Sequence, residues 1–547
     1  MKRIIFIPFI LFTTFASGAG GLTESIRQFI DNKPTDKRYE IDNEYLLSGK
    51  VLPMFYINRI YAPAWFNQDT LCSNGYVLLD YIRQVDRHGL QPKDYHLFLI
   101  EKYVGKILSF TPMDTGDMMK LDVLLTDAFL LLGSHLYYGK VDPEKEGASW
   151  KMQRKEPELR LDLKLEVALT ANDPGNGLDL LAPRYRSYWM MKDELAFFLG
   201  LNDHLWPAIL SVIAIKPGES NQLLPKIREK LIKLRYQLSD SISLTFDEEL
   251  EKQVKKFQAD WGLNTDGVIG KATLDDLNSL PFKLINQLKV NMERFRWLPL
   301  QVTEKYIIIN IANFELDLIE GTDTLISMRA IVGKELRETP VFNERITYIV
   351  FSPSWTIPPT ILQNDVIPEL LKGSGYIDKK NMKLLKPDGS ELAYKDIDWS
   401  KISKDNFPYM VRQNPGPENA LGRVKFMFPN AYNVYIHDTP SRGYFARDNR
   451  AMSSGCVRVE KPFDLAVLLL SDKPEWSPTN IRDAMKQDKE QTVLLKLPVD
   501  VMLVYLTAWT DGKDRVQFRK DVYQRDESIM LALNQEQEEV KVKAIPW

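Results

Sequence analysis

At 547 residues the chain is longer than one hydrophobic core usually supports, so two to four domains are expected. Its 44% apolar and 27% charged residues fit a globular protein and exclude a disordered or largely membrane-embedded chain. With 71 basic against 74 acidic side chains there is no overall field to gather nucleic acid, and none is expected as a partner.

The first segment, 1–20, opens Met1-Lys2-Arg3, continues as an apolar stretch from Ile4 to Phe15, and ends in Ala16, Ser17, Gly18, Ala19 and Gly20. That is the layout of a secretory signal, and export is expected. Interrupted by Pro8, the stretch falls short of the roughly 20 residues that cross a bilayer as a helix, so it anchors the protein only if uncleaved. Cys72 and Cys456 are the only cysteines, too few for a disulfide framework. A bridge between them would consume the better-placed thiol, so both are expected to be free.

Residues 41–238 read as a helical scaffold. Apolar residues recur at three-to-four spacing over Gly75–His88, Met118–Tyr138 and Tyr188–Leu199, punctuated by Gly89, Pro92, Pro143 and the Asn172 to Gly175 cluster. His88, His96, His135 and His204 lie apart without metal-ligand spacing and read as helix-face or loop residues. No metal or other cofactor is expected.

The compact stretch 245–280 follows. Asp247 is placed to cap a helix, Leu250, Val254, Phe257 and Trp261 form one apolar stripe, and Gly262 closes it. Asp266-Gly267 makes a turn, and a second short helix spans Thr273 to Leu280. The pattern of Val254, Phe257, Gln258, Gly262, Leu263, Asp266 to Gly270, Thr273, Leu277 and Asn278 resembles the type 1 peptidoglycan-binding domain, which implies contact with glycan strands of the cell wall.

From about residue 285 the text turns strand-like. Tyr306–Ile311, Phe314–Ile319, Leu325–Val332, Ile346–Phe351, Val434–His437, Thr492–Leu497 and Val501–Thr507 are short, rich in β-branched residues and bounded by turn residues. The spacing predicts a mostly β, sandwich-like domain over 285–512. An insertion at 361–412, with a helical piece at Asp365–Leu371 and a Gly, Asp and Lys-rich remainder, has the size of a lid. Residues 513–547 form a C-terminal extension whose acidic, Gln-rich part, Asn534 to Lys543, reads as a solvated helix end. The predicted fold class is multidomain α+β.

Two segments carry the chemistry: Tyr435-Ile436-His437-Asp438-Thr439-Pro440 and Ser453-Ser454-Gly455-Cys456-Val457-Arg458. A cysteine attacks as thiolate and needs a base or cation beside it. His437 is the only histidine in the C-terminal half. A tight Ser-Ser-Gly-Cys loop presents the thiol and can turn the Gly455 and Cys456 N–H groups toward one carbonyl oxygen. Arg458 suits either favouring the thiolate or holding a substrate carboxylate.

These segments resemble the signature of the L,D-transpeptidases with a YkuD-type catalytic domain. Further matches are Val332-Gly333-Lys334, Thr339-Pro340, Ser352 to Pro359, Asn414 to Gly422, Lys425 to Asn430, Thr507 to Trp509 and Arg294 to Pro299. Together with the scaffold, module and lid, they resemble the large multidomain branch known from Gram-negative envelopes. The resemblance implies Cys456 as nucleophile, His437 as sole proton donor and acceptor, and Gly455 as a backbone oxyanion donor. It implies substrate contacts from Tyr435, Ser453, Ser454, Arg458 and Trp355, the last also readable as a core residue. It orients the histidine through a backbone carbonyl, leaving Asp438 as a turn residue. The implied reaction is 3→3 cross-linking of peptidoglycan stems in the periplasm, with release of terminal D-alanine and no cofactor. Other cell-wall enzymes are implied partners. An L,D-carboxypeptidase using the same site and a non-catalytic wall-binding scaffold stay open as alternatives. A sortase-like reading lacks the accompanying segments, and papain-like hydrolases place Cys before His.

Overall fold

The computed structural model describes residues 19–32, 38–144, 150–152, 159–201, 206–211, 213–299, 303–373, 375–510 and 515–535. The apolar leader up to residue 18, His204 and the tail beyond 535 lie outside the described residues. No helix among them is long and apolar enough to cross a membrane.

The N-terminal unit is built on the helix Thr115–Tyr138, begun by Asp114, whose carboxylate accepts the Asp117 N–H at 2.7 Å. From Leu121 to Leu136 every residue is buried, so its polar side chains need partners. Asp122 accepts from the Trp65 N–H and the Tyr56 hydroxyl, and Asp127 meets His96 Nε2 at 2.9 Å. His88 bonds Tyr81 and Tyr188, and His135 bonds Tyr95, so these histidines serve the scaffold's own packing, as their spacing suggests. Cys72 precedes the helix Ser73–Arg83 as its cap residue, and both cysteines are free thiols.

The strand-like region begins later than its text suggests. Residues Pro281–Trp297 form a helix packed against Arg186–Leu199, Thr115–Tyr138, Ala508–Thr510 and the C-terminal helix Asp526–Asn534. Being covered on several sides, it buries charged residues as well as apolar ones. Arg296 pairs with Glu293 at 2.6 Å, and Arg294 pairs with Asp526 at 2.6 Å. From Val290 to Trp297 every residue is buried, charged ones included, and burial on all sides there blurs the amphipathic period by which a sequence announces a helix.

The wall-binding-like module has its first helix at Glu248–Asp260, capped as expected by Asp247, which accepts the Leu250 N–H at 2.9 Å. Its second helix is Lys271–Leu277. Gly262, at φ +67°, closes the first helix against the C-terminal hairpin Ala508–Thr510/Val516–Phe518, where any Cβ would collide with Arg519. Arg515 pairs with Asp260 at 2.9 Å, and the Trp261 and Phe518 rings lie 5.1 Å apart.

The main sheet of the C-terminal region has nine strands among the described residues: β1 Lys305–Asn310, β2 Glu315–Glu320, β3 Asp323–Gly333, β4 Phe342–Phe351, β5 Val424–Met427, β6 Ile436–His437, β7 Ala451–Ser453, β8 Val457–Val459 and β9 Gln491–Val504. Their order is β7-β3-β8-β6-β5-β4-β9-β1-β2, and β2 also pairs with β3, so the two faces of the expected sandwich join in one closed circuit. The two strands expected around 492–507 are a single strand, β9. Pro498, which has no N–H to donate, sits where its register against β4 slips, between Leu494 and Val499.

The insertion is a small subdomain rather than a loop. Its strands run in the order Glu391–Leu392, Met382–Leu385, Met410–Gln413, Trp355–Thr356, over a separate apolar cluster that includes Ile357, Val366, Leu370, Leu384 and Val411. Its helical segment starts earlier than expected, at Pro359, and widens to a π turn over Leu362–Val366. Pro368 lacks the N–H that a regular helix would direct at Asn364, which accounts for the widening.

The extension forms a clasp. Arg519 donates to the Asp260 carbonyl at 2.9 Å, Arg525 pairs with Glu338, and the Leu533 carbonyl accepts from Lys140 at 2.7 Å.

Candidate active site

Strands β6 and β8 run parallel, with Ile436 opposite Val457 and His437 opposite Arg458. Side chains alternate along each strand. Ile436 and Val457 enter the core with Phe426 of β5, all fully buried. The opposite face therefore receives Tyr435, His437, Cys456 and Arg458. Cys456 lies beside Tyr435 at the foot of β8, and His437 is its diagonal neighbour, roughly 7 Å away between Cβ atoms. The sheet thus brings Cys456 and His437 together on one face.

Cys456 is carried on a braced loop. Ser453 Oγ donates to the Cys456 carbonyl at 2.6 Å and accepts the Gly455 N–H at 3.1 Å. The Thr339 hydroxyl accepts the Gly333 N–H at 2.9 Å and donates to the Gly455 carbonyl at 2.8 Å. Tyr523, from the clasp, donates to the Gly333 carbonyl and accepts the Thr339 N–H at 3.3 Å. Gly455 sits at φ +114°, a backbone conformation that side-chain-bearing residues rarely adopt.

These bonds change two expectations. The Gly455 N–H is committed to Ser453, so it is not poised as an oxyanion donor, whereas the Cys456 N–H makes no hydrogen bond among the described residues. Ser453 shapes the loop, both sides of its hydroxyl being used within it. Ser454 Oγ accepts from Arg337 at 3.0 Å, and the same guanidinium nitrogen reaches Asp365 of the inserted subdomain at 3.0 Å. Arg337 therefore ties the cysteine loop to the inserted subdomain. Trp355 stands at the subdomain's base, and its indole N–H approaches the Tyr435 hydroxyl without a well-formed bond.

The imidazole is buried, and Nδ1 donates to the Asp438 carbonyl at 2.6 Å, the backbone orientation the resemblance implied. This leaves Nε2 as the basic nitrogen. The Asp438 carboxylate instead accepts the Arg423 N–H at 2.9 Å and meets Arg442 at 3.3 Å. Burial, reinforced by the positive Arg458, pushes the His437 pKa down to about 3, against the pull of the Asp438 and Leu421 carbonyls. Burial also raises the Cys456 thiol above its ordinary value, partly offset by the N–H and hydroxyl of Tyr435 and by Arg458. The resting pair at neutral pH is a neutral thiol beside a neutral imidazole.

Reading by spacing did not single out Thr339, Arg337, Lys425 or Tyr523 as site residues. Thr339 is more than a hundred residues from the loop it braces and Tyr523 follows it by almost seventy, so no local pattern joins them.

A buried histidine and a loop-borne cysteine thus share one face of the closed sheet, and comparison with known proteins bears on the kind of domain that holds them. The chain carries a YkuD-type L,D-transpeptidase catalytic domain: residues 304–481 match that domain's model. Residues 220–277 match a domain described as "Putative peptidoglycan binding domain", and 50–195 match a scaffold domain. A Haemophilus influenzae protein named "Putative L,D-transpeptidase" is 35% identical over 249 residues, 46% of this chain and 50% of that protein. The alignment thus spans about half the length of this curated relative. Among solved structures, an L,D-transpeptidase from Xylanimonas cellulosilytica matches at 13% identity and TM-score 0.18, over 54% of this chain and all of that one. One from Stackebrandtia nassauensis matches at 12% identity and TM-score 0.21, over 53% of this chain and 94% of that one. Superpositions this loose bear on neither fold nor function.

Proposed function

We propose that the protein is a periplasmic L,D-transpeptidase that joins peptidoglycan stems through a thioester on Cys456. The observation that carries this reading is the shared face of β6 and β8, which sets Cys456 beside Tyr435 and diagonal to His437, with the imidazole pinned by the Asp438 carbonyl.

His437 Nε2 takes the thiol proton as sulfur attacks the carbonyl of the third stem residue, a diaminopimelate centre. Oxyanion charge falls to the Cys456 N–H, with the Tyr435 hydroxyl the nearest side-chain donor. The imidazolium then protonates the amine of the terminal D-alanine, the C–N bond breaks, and a thioester remains. The side-chain amine of a second stem attacks the thioester and gives its proton to His437. A new amide forms and the thiolate, leaving, recovers a proton from the imidazolium. Water as acceptor gives the L,D-carboxypeptidase reaction from the same intermediate.

The module at 220–277 supports wall contact, and the lid, tied to the cysteine loop through Arg337, supports gated access. The leader motif supports export, with inner-membrane attachment if it is retained. Incubation with purified disaccharide-tetrapeptide tests the proposal. Dimers that have lost one D-alanine, absent with Cys456→Ala, are expected. D-alanine release without dimers reassigns the enzyme as a carboxypeptidase. If neither appears and a carbapenem leaves no adduct on Cys456, the acyl-transfer reading falls to the wall-binding scaffold.

A further inference from the structure

We propose that Lys425 and Arg458, on either side of His437, form a carboxylate subsite that receives the free C-terminus of the peptide being cleaved. The proposal rests on the acyl-transfer reading above.

Lys425 of β5 lies directly opposite His437 of β6, and His437 directly opposite Arg458 of β8. Directly opposed residues share a face at about 5 Å between Cβ atoms, so the three form one row across the sheet. The row continues to Val350 beyond Lys425 and to Ile331 beyond Arg458, both buried. The imidazole is therefore flanked by two cations, with apolar residues at both ends and no acid in line.

Neither cation is neutralised. Among the described residues neither Lys425 nor Arg458 forms an ion pair, and Arg458 Nε is buried without a hydrogen bond. The acid that acts on Lys425 is Glu490, which forms no ion pair with it and whose Oε2 accepts the Ser354 N–H at 2.8 Å and hydroxyl at 2.9 Å. Cations held in partial burial without partners are costly, and an arriving anion offsets that cost.

The reaction supplies an anion at the right place. His437 hands its proton to the amine of the departing residue, and in an amino acid the carboxylate carbon is only about 2.5 Å from that nitrogen. A carboxylate so close to the imidazole lies within reach of a cation on either side. A stem that ends at the departing residue offers this charge, whereas a stem that continues offers a neutral amide. A site built to bind a charged group rejects the analogue lacking it, so the row selects for cleavage of a single terminal residue.

The test measures binding of a synthetic tetrapeptide stem, as free acid and as C-terminal amide, to full-length Cys456→Ala, which holds ligand without turnover. The free acid should bind about tenfold to a hundredfold tighter, the range of a charged hydrogen bond. Adding Lys425→Met should cut the acid's advantage over the amide severalfold, Arg458 still being in place, and leave the amide unchanged, while Lys425→Arg keeps the preference. Equal affinity for acid and amide in the parent overturns the subsite. So does a Lys425→Met variant that loses both ligands alike, which is the mark of a purely structural lysine. D-alanine release by the unmutated protein is read separately, so a failed acyl-transfer reading is told apart from a failed subsite.

Discussion

Thr339→Val probes how the Cys456 loop is held. The hydroxyl of this fully buried residue plays two roles at once, accepting from Gly333 and donating to Gly455. Valine keeps the shape and does neither, so one N–H and one C=O are left without their partner. Each orphaned group costs about 1–3 kcal/mol, and with some relief from water near the loop the total is about 2–4 kcal/mol. Because both groups belong to the loop and its support, the loss should appear as local opening. At 1.4 kcal/mol per tenfold, the open population rises roughly 30- to 700-fold. Hydrogen exchange read by mass spectrometry on the peptide spanning 451–460 should accelerate accordingly, with acylation of Cys456 falling in step, and Thr339→Ser should restore both. Unchanged exchange and acylation in Thr339→Val would refute the idea that this hydroxyl braces the nucleophile.

Other outcomes follow from the same geometry. Alkylation of Cys456 by iodoacetamide should keep rising about tenfold per pH unit beyond pH 8, because burial holds the thiol above its usual range, and a plateau below pH 7 would show a resting ion pair instead. His437 has a folded pKa of about 3 against an unfolded value near 6.5, so it contributes stability above pH 6.5 that is lost as pH falls toward 3. His437→Gln should therefore flatten the acid limb of a stability-versus-pH curve measured by urea unfolding, and an unaltered limb counts against burial of the neutral ring. Arg337→Ala releases both Ser454 and Asp365, and should lower acylation of Cys456 severalfold while the midpoint of thermal unfolding moves little. Deleting the insertion at 361–412 should weaken turnover while the closed sheet stays folded, and full activity in that variant would discard the lid. Gly262→Ala meets both the positive φ and the Arg519 side chain, and should destabilise the module by about 1–3 kcal/mol in calorimetry.

What the sequence makes legible follows from how local the cause is. The Asp247 cap and strands β1 to β4 rest on neighbours in the chain and are readable, and the core helix Thr115–Tyr138 shows through its long run of apolar residues. The helix Pro281–Trp297 is not, because Glu293, Arg294 and Arg296 are neutralised inside by partners that include Asp526, far away in sequence. The lid strands escape notice because, at two to four residues, they are too short for alternation to show. Cys456 and His437 stand out in the sequence because motif and chemistry agree there, and β6 and β8 bring them onto one face. The Gly455 N–H misleads because its partner, the Ser453 hydroxyl, depends on a loop conformation that spacing does not encode.

The clasp at 515–535 has a temporal side. Chains are made from the N-terminus, and domains fold broadly in that order. The scaffold, the module and every strand of the sheet are complete before Tyr523 and Arg525 exist to support Gly333, Thr339 and Glu338. A chain made only that far lacks the contacts that brace the Cys456 loop. The last contacts the chain can make support the Cys456 loop through Tyr523 and tie the C-terminal helix to Lys140 of the first unit.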